Sequence, residues 1–293
     1  MFGKHLVAVL TPFTINGDID YGYIRSFIPL LIKGNVETII ICGTTGEGPS
    51  VTIAETEQVI QVVSEFQRKI RIILGIFRMN VPEVLNFLNL GEEYQIDGVL
   101  LLPPFYFKNL SDDGLFNYFS KVMNKFSIPV ILYNIPKYTG VSLSLNLIRK
   151  LSEFSQLFGI KDSSGDITQT RQFIQEFRDI KIYSGNDALI HKSLLAGSHG
   201  VITALSNAFP NIVHEIIETT SNNQLLKAES LQTKLSKIRS ETKKYPQIAN
   251  IKTCVERYLN LPPMYVRPPL INLNEEQKKK MVLSINNILM KRL

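Results

Sequence analysis

One pattern repeats eight times along this chain and limits its fold more than any other feature. A short, continuously apolar run is followed each time by a segment whose apolar residues recur at helical spacing. The runs are His5–Phe13, Glu37–Gly43, Ile70–Ile76, Gly98–Pro104, Pro129–Ile135, Phe158–Lys161, Lys181–Gly185 and Gly200–Ala204. Helical patterns lie between them, from Tyr21 to Lys33, from Thr52 to about Lys69 and from Pro82 to Tyr94. Further ones run from Ser111 to Phe126, from Ser144 to Phe154, onward from Asp166, and from Asp187 to near Gly197. Thr52-Ile-Ala-Glu55 has the form of a capping box. Apolar residues at consecutive strand positions imply a parallel sheet covered on both faces. Eight such units in about 220 residues is the count of a (β/α)8 barrel. A doubly wound open sheet is the alternative. It would normally carry a glycine-rich phosphate turn after the first strand, and Thr11-Pro12-Phe13 is not one.

Beyond Asn222 the strand signal stops. Helical segments are expected at 223–244, 247–259 and 274–291, broken by Pro262-Pro263 and Pro268-Pro269. The expected organisation is an α/β TIM barrel over residues 1–221 with a C-terminal helical extension over 222–293, packed on the barrel.

Bulk properties narrow the function. The net charge is +6 and 44% of residues are hydrophobic, as in a soluble globular protein. The densest basic run, Lys227 to Lys244, has helical spacing with acidic residues mixed in. It reads as a solvated helix face and not a nucleic-acid footprint. Cys42 and Cys254 fall in different elements, which argues for reduced thiols and a cytoplasmic setting. His5, His191, His199 and His214 form no metal motif. No apolar stretch reaches membrane-spanning length and the N-terminus has no signal-peptide pattern.

In a barrel of this type the reactive groups sit where strands end and loops begin. The most informative strand end is Phe158-Gly-Ile-Lys-Asp-Ser-Ser-Gly165. Alternation places Gly159, Lys161 and Ser163 on one face, with Ile160 and Asp162 on the other. A lysine in apolar surroundings favours the neutral, nucleophilic amine. Lys161 is thus a candidate for a Schiff base with a ketone. Taken alone, it also fits a surface lysine closing an edge strand. The loop Gly43-Thr-Thr-Gly-Glu-Gly48 offers the hydroxyls of Thr44 and Thr45 and a nest of amides suited to a carboxylate, although ordinary turn chemistry explains such loops too. Tyr133 reads either as a buried, hydrogen-bonded core tyrosine or as a proton shuttle beside the amine.

In combination these motifs resemble a known family. Gly-Thr-Thr-Gly-Glu at 43–47, Tyr-Asn-Ile-Pro at 133–136 and Gly-Ile-Lys-Asp-Ser at 159–163 occur in the order and spacing of the dihydrodipicolinate synthase and N-acetylneuraminate lyase superfamily of pyruvate-dependent class I aldolases. The resemblance runs from Val9-Leu-Thr-Pro12 to Arg267-Pro-Pro269. It implies that Lys161 forms an imine with pyruvate, that Thr44 and Thr45 hold its carboxylate, and that Tyr133 moves protons. It implies that Tyr106 joins a Thr44–Tyr133 relay from a neighbouring subunit of a homotetramer, and that Gly185 and Ile202 line the pyruvate pocket. No metal or organic cofactor is implied, and the partners are small molecules.

Within that family, synthases carry an arginine where this chain has Tyr138, and a phenol cannot supply a guanidinium fork. Lys137 is adjacent, but alternation should point it elsewhere. Gly-Thr-Thr-Gly-x-Gly-Pro-Ser at 43–50 and Arg-Pro-Pro at 267–269 resemble the 2-keto-3-deoxygluconate aldolases more closely, while Glu47 departs from them. The expected reaction is cleavage of a 2-keto-3-deoxy sugar acid to pyruvate and an aldehyde such as glyceraldehyde. The alternatives are a dihydrodipicolinate synthase, a related dehydratase, and a non-catalytic barrel that binds a small anion or serves as an assembly subunit.

Overall fold

The computed structural model describes residues 1–290. Eight parallel strands close into a barrel in sequence order: β1 His5–Ala8, β2 Thr38–Ile41, β3 Arg71–Ile76, β4 Gly98–Leu101, β5 Val130–Asn134, β6 Leu157–Asp162, β7 Lys181–Ser184 and β8 Gly200–Thr203. Closure is made by β1 against β8, with Leu6 opposite Ile202. All eight expected strands are present, and a closed cylinder replaces the open-sheet alternative.

The helices are α1 Tyr21–Lys33, α2 Ile53–Ser64, α3 Val81–Glu93, α4 Asp112–Met123, α5 Pro136–Thr139, α6 Leu145–Leu151, α7 Ile167–Glu176, α8 Ile190–Leu195, α9 Pro210–Ser221, α10 Leu225–Thr242, α11 Gln247–Tyr258 and α12 Glu275–Met290. Side-chain caps set many of their starts, because the first amides of a helix have no partner within it. The Thr52–Glu55 capping box opens α2, and Ser111, Ser144 and Asp166 accept bonds at the starts of α4, α6 and α7. Several expectations need correction. α2 stops at Ser64, short of Lys69, and single turns carry the chain on. Asp187 does not open α8, which begins at Ile190. The Asp187 carboxylate instead accepts the Leu205 amide. The last helical pattern was expected to reach Lys291, which lies outside the described residues.

Two apolar layers account for the fold. One faces outward from the strands onto the helices and includes Ile39, Ile41, Val99, Leu132 and Ile160. The other fills the barrel and includes Leu6, Ile40, Ile73, Leu100, Ile131, Tyr133, Tyr183 and Ile202. The alternation of strand side chains makes this partition. Fully buried Phe2 belongs to the inner layer. A Cβ on Gly98 would stand 2.6 Å from its ring, so only glycine lets the ring seat there. The β5–β6 register skips Phe158, whose ring meets Phe2 edge-on at 4.7 Å. These aromatics fill the N-terminal end of the barrel and leave the other end for a site.

Candidate active site

At the C-terminal ends of the strands lies a cavity of about 280 Å³. β6 brings Lys161 into it. Lys161 is only 4% exposed and pairs in register with Tyr133 on β5 and Tyr183 on β7. Its Nζ lies 4.1 Å from the centre of the Tyr133 ring. The edge-strand alternative for this lysine is therefore excluded by its place in a closed barrel.

The neighbours of Lys161 hold its strand end in place. Asp162 points to the opposite side and is buried. Its carboxylate accepts bonds from Asn134 Nδ2 at 2.8 Å, Ser164 N at 3.1 Å, Ser164 Oγ at 3.1 Å and Thr170 Oγ1 at 2.6 Å. It thereby ties β6 to β5 and to α7. Gly185 is a close-approach position: a Cβ there would stand 1.9 Å from Ser163 Oγ and 3.1 Å from Lys161 Cε. Its amide donates to Asp162 O at 2.7 Å.

Of the residues singled out in the sequence, Lys161, Tyr133, Thr44, Thr45, Gly185, Ile202 and Tyr138 all border this cavity. Tyr106 does not. It is 74% exposed and packs edge-on against the ring of Phe107. Among the described residues no hydrogen bond joins the Tyr133 hydroxyl to Thr44 or to Lys161. No group of three His, Cys, Asp or Glu side chains converges among the described residues as metal ligands would.

The sequence reading missed a second set of residues around the same cavity. Lys137 lines it beside Tyr138. Strand alternation had assigned Lys137 to another side, but Pro136–Thr139 is a helical turn, so the two-residue period does not apply. Arg239 and Lys243 also line it, from α10 and its C-cap. Two cations of the supposed solvated face are thus part of the cavity wall. None of the three cations pairs with a carboxylate among the described residues. Arg239 Nε is buried with no hydrogen-bond partner among the described residues. The Lys243 ammonium is destabilised first by burial and then by Arg239 and Lys137, with Asp187 opposing. Among the described residues Asp187 is the one buried acid that lines the cavity. Burial raises its pKa, against the Leu205 amide, Arg239 and Lys161. Segments expected merely to pack on the barrel therefore build part of the cavity.

A parallel barrel that buries an amine in its mouth, beside hydroxyls and cations, is an enzyme site for small molecules, and its family makes it a lyase of the aldolase type. The chain belongs to the Dihydrodipicolinate synthetase family, which matches it over residues 1–288. It is 34% identical over 236 residues to the 4-hydroxy-tetrahydrodipicolinate synthase of Clostridium perfringens, covering 80% of each protein. It is 31% identical to the enzyme of that name from Karelsulcia muelleri, covering 97% of this chain and 96% of the other. Among solved structures, a Bacillus anthracis dihydrodipicolinate synthase superposes with a TM-score of 0.93 at 28% identity, covering 100% of this chain and 99% of that one. A Sulfolobus 2-keto-3-deoxygluconate aldolase shares the fold, with a TM-score of 0.92 at 23% identity over 98% and 96% of the two chains.

Proposed function

We propose that this pyruvate aldolase works through a Schiff base on Lys161 and cleaves a 2-keto-3-deoxy sugar acid, reversibly, to pyruvate and an aldehyde such as glyceraldehyde. The observation that carries the reading is a buried lysine amine over the Tyr133 ring, in one cavity with Thr44 and Thr45. The amine attacks the C2 ketone and water leaves, giving a protonated imine. That imine is an electron sink. A base removes the C4 hydroxyl proton, the C3–C4 bond breaks, and its electron pair passes into the imine to give an enamine. The aldehyde departs, C3 takes a proton, and water releases pyruvate from Lys161. Tyr133 carries these protons, and Thr44 and Thr45 with their amides hold the carboxylate. Gly185 and Ile202 shape the pyruvate end, while Tyr138 and Asp187 face the hydroxyls of the longer substrate.

Exposed Tyr106 fits a role in the neighbouring subunit of a homotetramer, reaching that subunit's Thr44 and Tyr133. The enzyme acts in the cytoplasm, on small molecules, with no metal or organic cofactor.

A second reading is supported by Lys137, Arg239 and Lys243. Three cations around one cavity, with no carboxylate partner among the described residues, suit a second substrate with an acidic end. They offer a carboxylate site that Tyr138 cannot. In that reading the enzyme condenses pyruvate with aspartate semialdehyde, as a 4-hydroxy-tetrahydrodipicolinate synthase, the name its relatives carry. Borohydride reduction with pyruvate, followed by peptide mapping, tests what both readings share. The expected adduct is on Lys161, and Lys161→Ala abolishes it; labelling elsewhere removes both readings. Rates with 2-keto-3-deoxygluconate against aspartate semialdehyde then choose between them.

A further inference from the structure

Glu47 closes the loop that carries Thr44 and Thr45, yet it does not border the cavity. It adopts a left-handed backbone conformation, φ 55° and ψ 35°, which costs a non-glycine residue free energy. Its side chain is 1% exposed and so is that of its partner, Lys252 on α11. Lys252 Nζ lies 2.5 Å from Glu47 Oε1, and Glu47 Oε2 accepts the Arg267 amide at 3.0 Å. Lys252 Nζ also donates to Tyr265 O at 2.5 Å and lies 4.6 Å from the centre of the Phe13 ring. The loop is fastened from within as well. Glu47 N donates to Thr44 O at 3.2 Å, Gly48 N to Gly43 O at 2.9 Å, and Thr11 Oγ1 to Gly46 O at 2.6 Å.

A buried ion pair of this kind is weak evidence for stability, since two desolvated charges are expensive to keep. Here the two charges are 205 residues apart in sequence. They join the hydroxyl-bearing loop to a helix that also lines the cavity, through Ile248, Ala249 and Ile251 of α11. Both partners stand behind the cavity wall, so neither can touch a ligand in it.

We infer that the Lys252–Glu47 pair is a positioning device. It holds Thr44 and Thr45 in the register that grips the pyruvate carboxylate, and it makes the C-terminal helices part of keto-acid binding. This rests on the proposed role of those threonines. Geometry of this kind acts on binding, because a shift of the loop misplaces every donor on it.

The test is a titration of borohydride-trapped imine with pyruvate, on the wild type and on a double variant, Glu47→Leu with Lys252→Met. Replacing both charges by apolar side chains avoids leaving one buried and alone. The expected result is a thermal midpoint close to the wild type, a pyruvate half-saturation raised roughly tenfold or more, and an undiminished adduct at saturating pyruvate, since an effect on binding alone leaves the saturated state intact. Half-saturation within about twofold of the wild type would show that the pair is merely structural and overturn the inference. If the double variant does not fold, the same titration of Glu47→Gln decides by the same criterion. A wild type that traps no pyruvate on Lys161 defeats the aldolase reading itself, which is a separate outcome from an unaltered half-saturation.

Discussion

Single side chains in this barrel do unlike jobs with similar chemistry. His5 and Lys161 are both buried and both ionisable, and only Lys161 meets the cavity. His5 Nδ1 lies 3.0 Å from Asn35 O, a carbonyl that can only accept, so that nitrogen carries the proton. Nε2 then accepts from Ser206 Oγ at 2.8 Å. Burial pushes the His5 pKa down to about 4, partly offset by the Asn35 bond and aided by His214. The folded imidazole stays neutral while the unfolded one titrates near 6.5. Stability from this group is therefore full above pH 6.5 and is lost as pH falls through about 4. The loss is at most about 3 kcal/mol. Urea midpoints measured across that range should show the slope in the wild type and not in His5→Gln; parallel curves would contradict the assignment. Lys161 shows the complementary lesson. Its strand position and alternation were readable from Phe158-Gly-Ile-Lys, because a parallel strand repeats every two residues. Its burial was not, because that depends on seven other strands closing around it.

At the level of elements, the strands were legible because a buried parallel strand is apolar at every position and has little else to be. Most helices were legible through caps such as Thr52 and Ser111. α5 was not, since four residues opening on Pro136 are too few to show a helical period. That gap misplaced Lys137. Arg239 and Lys243 escaped notice for another reason. They sit about a hundred residues from Lys137, and each alone is an ordinary surface cation, so only the assembled fold brings the three charges to one cavity. The same dependence on neighbours governs β6. Asp162 gathers donors from β5, the following turn and α7, and without it those donors lose their acceptor. Asp162→Ala is expected to cost about 2–4 kcal/mol in urea denaturation. It should also slow imine formation on the adjacent Lys161; a change under about 0.5 kcal/mol would mean that the network is not what holds the strand end.

On the scale of the whole molecule, the C-terminal segment is bound to the barrel by charge as well as by packing. Arg267 pairs with Glu55 of α2 and also donates to Gly17 O and Ser50 O, both at 2.7 Å. The Arg267 guanidinium, above all through its hydrogen bond, holds the Glu55 carboxyl at about 2, well below its usual 4.5. A carboxylate with a lowered folded pKa stabilises the protein above its unfolded value, and that contribution disappears as pH falls toward 2. After allowance for solvent screening it amounts to roughly 1–2 kcal/mol. Acid unfolding followed by circular dichroism should show this component between pH 4.5 and 2 in the wild type and lose it in Arg267→Leu. Equal acid sensitivity in the two proteins would contradict it.

The Phe2 ring, seated at the end of the cylinder far from Lys161, has a kinetic corollary under the proposed chemistry. With that exit stoppered, reactants share a single doorway. In the proposed reaction a keto acid held on Lys161 would lie innermost, with the aldehyde between it and the solvent. Synthesis would then load pyruvate ahead of its partner and cleavage would discharge the aldehyde before pyruvate, an order that follows from the packed barrel interior, with the Phe2 ring at its base.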